Sequence, residues 1–273
     1  MVLREMQLRL ILVACALCAA PVVASAETPP PAGDGGGTDQ LTLPKGRLVL
    51  SAFVEASLVS GAVFKPFSIS PDIWYGVNDD LTVGLVHSTP GVTGFVTGGF
   101  GDSLCLSGTG VGSGCGKLYD RLALDGRYKL KAGTTVWAAD GGLVINSIDA
   151  GAISLKAGVA GRWSQGQLAV ELEPALFVGL TKRDVNADVL SLPVAGIYSL
   201  DAKLAVSAQT GLILPFKATG DTYAVPLSIG AHYLVTPQLR LLFVFSLPRL
   251  VGGNTGGNGF DVRSITIGGA YAL

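Results

Sequence analysis

Charge is the scarcest thing in this chain. Only 14% of its residues are Asp, Glu, Lys or Arg, where a soluble domain carries about 25%. The 19 basic and 20 acidic residues nearly cancel, which excludes the strongly basic face that a nucleic-acid partner would require. Histidine occurs twice, and no His or acidic cluster accompanies the cysteines, so neither a metal nor a cofactor is implied. Long apolar runs are missing too. Mean hydropathy is +0.50, yet beyond residue 26 no stretch approaches the roughly 20 apolar residues of a membrane helix. High apolarity without long runs is what alternation across a thin wall produces.

The start of the chain is the exception. Arg4 and Arg9 precede an apolar run from Leu10 to Ala24, and Ala24-Ser25-Ala26 is a small-x-small cleavage site. Residues 1–26 therefore read as a signal peptide, with Glu27 as the first mature residue. Leu12-Val13-Ala14-Cys15 resembles a bacterial lipoprotein box and is the rival reading, but it would leave an odd apolar stretch behind it. Residues 27–45, with Pro29 to Pro31 and Gly35 to Gly37, read as a flexible periplasmic leader. Cys15 and Cys18 leave with the signal, and Cys105 and Cys115, ten apart in an exported glycine-rich stretch, are expected to form a disulfide.

From Arg47 onward apolar and polar residues alternate with period two, and twelve strands are predicted: 47–58, 67–77, 81–88, 118–130, 134–146, 153–163, 168–180, 189–200, 203–214, 223–235, 239–248 and 262–273. The breaks between them are alternately short and long, the longest being 89–117 with ten glycines, Phe95 and Phe100. An amphipathic helix is the alternative for 118–130, and a soluble β-sandwich the alternative for the whole. The aromatics decide against the sandwich. Tyr75, Tyr128, Trp163, Tyr198, Tyr233 and Tyr271 each end a strand on its apolar face, four of them 35 residues apart, and Trp137 starts its strand at the same end. Trp and Tyr have an apolar body and a polar tip, so they settle where hydrocarbon meets head groups.

The alternation, the alternating loop lengths, the aromatic rim and the ending Gly269-Ala270-Tyr271-Ala272-Leu273 resemble the outer-membrane β-barrel proteins of Gram-negative bacteria across residues 46–273. The resemblance implies an all-β, antiparallel, up-and-down transmembrane barrel of about 12 strands in the outer membrane, with both termini periplasmic. It also implies two partners, outer-membrane lipids and the assembly machinery that reads a final strand. That strand usually ends in an aromatic residue; here it ends in Leu273.

Parity then assigns the faces. Glu55, Asp72, Arg121, Asp125, Arg127, Lys129, Asp140, Lys156, Arg162, Glu171, Glu173 and Arg240 point inward, nearly all from the first seven strands. The walls from 189 to 235 present Ser191, Pro193, Ala195, Ile197, Gln209 and His232 instead, so the lumen is expected to be charged on one side and largely apolar on the other. The function expected is a narrow passive channel for small solutes, porin-like and not enzymatic. A closed-lumen structural or surface-interaction barrel is the alternative. Loop 89–117 is read either as a constriction folded into the mouth or as an exposed cap. A lipid hydrolase is the weakest reading: outer-membrane phospholipases place a His and a Ser two residues apart, whereas His87-Ser88-Thr89 puts Thr89 at that position, facing outward, with no matching Asn.

If the alternation faces lipid, the full chain will fractionate with outer membranes, resist extraction without detergent, and migrate differently in gels before and after boiling. Recovery from a detergent-free periplasmic extract would contradict it.

Overall fold

The computed structural model describes residues 41–60, 63, 65–96, 104–108, 115, 117–217, 219–254 and 258–273. Residues 1–26, expected as a signal peptide, residues 27–40 of the expected leader, and Phe100 lie outside the described residues. Among the described residues no helix is long and apolar enough to cross a membrane.

The strands are β1 (Leu48–Ser57), β2 (Phe67–Gly76), β3 (Leu81–Val86), β4 (Leu104–Cys105), β5 (Leu122–Lys131), β6 (Thr135–Ser147), β7 (Ala152–Gln165), β8 (Leu168–Leu172), β9 (Ala175–Gly179), β10 (Val189–Ser199), β11 (Leu204–Pro215), β12 (Ala224–Leu234), β13 (Leu239–Gly252) and β14 (Ser264–Ala272). All neighbours pair antiparallel, and β1 pairs with both β2 and β14, which closes the sheet. The result is a closed twelve-stranded, up-and-down barrel. β8 and β9 are two halves of one wall strand, and β4 is a two-residue addition to the end of β2.

Besides β3, which ends at Val86, three boundaries differ from the alternation for a local reason. The strand expected over 168–180 breaks at Glu173-Pro174 because proline has no N–H for the ladder; its carbonyl still accepts from the Val159 N–H at 3.0 Å. The start of the strand expected at 118 instead pairs with β4, through Leu104 and Tyr119 and the Cys105 N–H to Leu118 carbonyl bond of 2.8 Å. β13 runs on to Gly252, with a register shift opposite Pro226, where a missing N–H favours a bulge.

The short turns are built by their own side chains. Asn78 Oδ1 accepts from the Asp80 and Leu81 amides, Thr236 Oγ1 from Gln238 and Leu239, and Asp201 Oδ1 from Lys203 and Leu204. The Lys203 and Leu204 amides hold the Asp201 carboxyl below the usual carboxylate range. Its share of turn stability is therefore present at neutral pH and lost as pH falls through that lowered value.

Parity holds around the wall. Leu50, Ile73, Leu85, Leu124, Leu143, Leu155 and Val178 stand opposite one another on successive strands and face outward. Leu124 is 61% exposed, a waste in water but not in hydrocarbon. Inside, glycines alternate with bulk: a Cβ at Gly84 would collide with the Trp74 ring, and one at Gly142 with Asp125.

An outward charge at mid-strand should be expensive. Ile229→Arg, half-way along β12, is expected to cost about 2–4 kcal/mol and Leu200→Arg at a turn about 0–1, read by denaturant unfolding in lipid vesicles. Equal costs would remove the apolar belt.

Candidate functional site

The ring of strands surrounds an interior space, and three things enter it. The first is the start of the long loop. Strand β3 ends at Val86, and Ser88 turns the chain inward: its backbone is extended, its Oγ accepts from the Gly91 N–H at 2.9 Å, and Pro90 opens a short helix, Thr89–Thr93. Asp72 on β2 fixes this corner, accepting from the His87 and Ser88 amides at 2.7 and 2.9 Å and from the Ser88 hydroxyl. The segment then crosses to the far wall. Gln209 on β11 accepts from the Val96 N–H at 2.9 Å and donates to the Gly94 carbonyl at 2.7 Å, while Ser191 on β10 donates to the Thr93 carbonyl at 3.1 Å. Phe95 is 0% exposed. Val92 packs with Val86, Ala123, Val144, Ala175 and Phe177 in an apolar cluster against the inner wall. Residues 88–96 thus form an internal constriction and not an exposed cap.

The second is a set of paired charges. Lys156, 3% exposed, lies 2.6 Å from Asp125 and 2.8 Å from Asp140. Arg127 reaches both Glu173 oxygens at 3.0 and 3.1 Å and lies 4.0 Å from Asp140. Its guanidinium also sits 5.4 Å from the Trp74 ring centroid. Arg162 pairs with Glu171. Glu55 accepts from the Ser264 hydroxyl at 2.9 Å, and Arg121 donates to the Thr89 hydroxyl at 3.4 Å. Arg240 is buried in the opposite wall, where the His232 Nε2 lies 2.9 Å from the Ser207 hydroxyl. Lys129 sits at the turn end, bound to the Asp79 carbonyl and the Asp80 carboxylate.

The third is the chain's own residues 41–43, which line a cavity of about 170 Å³ together with the loop and the walls. Asp72, Arg127, Glu171 and Glu173 face it on one side, Pro193, Ala195 and Ile197 on another. Trp74, Phe53 and Leu242 also line it. Trp74 shares the parity that turns Asp72 inward, so its facing is legible from the sequence alone.

No family of known sequences matches the chain, and no curated protein is similar to it in sequence. Its fold is similar to the solved NanC porin, with a TM-score of 0.52 and 11% identity over 82% of this chain and 100% of that one. It is also similar to the KdgM porin, with a TM-score of 0.53 and 8% identity over 82% and 99%. The chain has the outer-membrane β-barrel fold. In this barrel Tyr75, Tyr128, Trp163, Tyr198, Tyr233 and Tyr271 project outward at the short-turn end, 37–53% exposed, and Trp137 lies there over Gly161. Cys105 and Cys115 are joined by a disulfide, their Cα atoms 6.4 Å apart.

The hydrolase reading meets a correction. Thr89 does not face outward; it is buried at the start of the inward helix, because the chain leaves the wall at Ser88. The Ser88 hydroxyl is spent on Asp72, and His87 Nδ1 donates to the Pro71 carbonyl at 2.5 Å.

Lys156 bridges two buried carboxylates and is the cation nearest to both. Lys156→Met should therefore destabilise the barrel by about 3–5 kcal/mol. Adding Asp125→Asn and Asp140→Asn should recover most of it in the same unfolding assay.

Proposed function

We propose that this protein resides in the outer membrane, short turns and both termini toward the periplasm, and works as a narrow passive channel for small solutes. The apolar outer belt and the aromatic rim support the placement. The rim rings would then meet lipid head groups, and the final strand through Tyr271 and Leu273 would be read by the assembly machinery. The observation that carries the channel is the interior cavity, walled by charge on one side and by Pro193, Ala195, Ile197 and Phe53 on the other. Rings of fixed charge select solutes in other pores. Here most of those charges are spent on one another, which leaves shape and the apolar wall to discriminate, and suits amphipathic solutes better than simple ions. Porin neighbours at this level of identity bring the fold, and the solute reading rests on the cavity.

A second reading has one observation of its own. The loop segment with Phe95 and Val92 fills the lumen on the long-loop side, as a closed structural or surface-interaction barrel would need.

Single-channel recording in a planar bilayer separates the two. The channel predicts small, discrete steps that grow in Gln209→Ala, which cuts both hydrogen bonds holding the loop to β11. Absence of steps in both proteins would leave the closed barrel.

A further inference from the structure

The turn-side mouth holds something that the wall does not need. Just before β1, residues 41–45 leave the ladder and pass into the lumen. The crossing point is the pair Gly76 and Thr82, opposite each other at the ends of β2 and β3 and both facing inward. The Leu43 N–H donates to Thr82 Oγ1 at 2.6 Å, and the Lys45 N–H to Asp79 Oδ1 at 3.0 Å. The Gly46 N–H donates to the Gly76 carbonyl at 2.8 Å. Pro44 passes so close that a Cβ at Gly76 would lie 2.0 Å from its carbonyl oxygen. Glycine at 76 is therefore a seat, and any side chain there would evict the segment.

What lies beyond the seat faces the cavity. Leu41, Thr42 and Leu43 line it with Asp72, Arg127 and Ile197. Thr42 is 3% exposed, and its hydroxyl is buried with no hydrogen-bond partner. A buried hydroxyl without a partner carries a desolvation cost. The Leu43 and Lys45 amides hold the segment, with the Gly46 amide at its foot, against a continuous ladder for each wall strand, so it belongs to the part of the molecule that opens first.

We infer that the turn-side mouth is a docking site for the chain's own residues 41–45, and that this displaceable segment sets the width of the passage from that side. The inference rests on the channel reading for its consequence, but not for the docking itself. Seated, Leu41 and Leu43 line the cavity and narrow the way to it; lifted off Gly76 and Thr82, they leave the cavity open toward the turns.

The test uses the full chain folded into lipid vesicles, with Thr42→Cys as reporter and a small, charged thiosulfonate reagent as probe. In the native background Cys labelling at 42 should be slow. Gly76→Val should accelerate it by about tenfold or more, as a decade shift in a local opening equilibrium would, and conductance steps should grow. Thr82→Val, which removes only the acceptor of the Leu43 amide, should move both readouts the same way by less and guards against misfolding of the first variant. Fast labelling in the native background would overturn the docking. Accelerated labelling with unchanged steps would overturn the width-setting role. Accelerated labelling with no conductance in any background would overturn that role together with the channel reading and leave the docking standing.

Discussion

Ring closure governs this molecule. A strand whose outer face meets hydrocarbon finds no water for its amides and carbonyls, so every one must pair with another strand. The β1–β14 ladder, running from Val49 with Ala272 to Ser57 with Ser264, abolishes the last free edges. Once the sheet is a ring, alternation has only two meanings, outside and inside. The charges carried mid-strand, barred from the belt of Leu50, Ile73, Leu85 and Leu124, have only the inside to occupy; the rest lie in turns and loops.

That confinement explains the interior. Charges pressed into one narrow lumen must satisfy each other, and they do so between neighbouring strands and, for Arg127 and Glu173, across several strands of the wall. Lys156 on β7 serves Asp125 on β5 and Asp140 on β6, and Arg127 reaches Glu173 beside Pro174. The walls from β10 onward carry little charge, so the inward loop finds there amide and hydroxyl partners, Gln209 and Ser191, and not ions. The apolar fill around Val92 and Phe177 does on the long-loop side what the leader's end does on the turn side. The cavity lies between two inserted segments, and the proposed function turns on how firmly each is held.

Much of the site was legible residue by residue, because parity is local. Asp72, Asp125, Lys156 and Arg162 could be turned inward from their immediate neighbours, and their burial follows. Trp74 obeys the same rule, lining the cavity while Tyr75 beside it faces outward at the rim. Thr89 could not be placed this way. Alternation continues on paper to residue 88, whereas the chain leaves the wall once Ser88 finds Asp72, sixteen residues away.

The sequence by itself determined the architecture: twelve alternating segments, the facing of nearly every wall residue and the aromatic end, all consequences of a two-residue period that needs no distant partner. Only the tertiary structure decided which inward charges neutralise which, that residues 88–96 lie across the lumen, and that residues 41–45 rest on Gly76 and Thr82. Those outcomes depend on which strands the closed ring brings face to face. No spacing along the chain encodes a distance across a barrel.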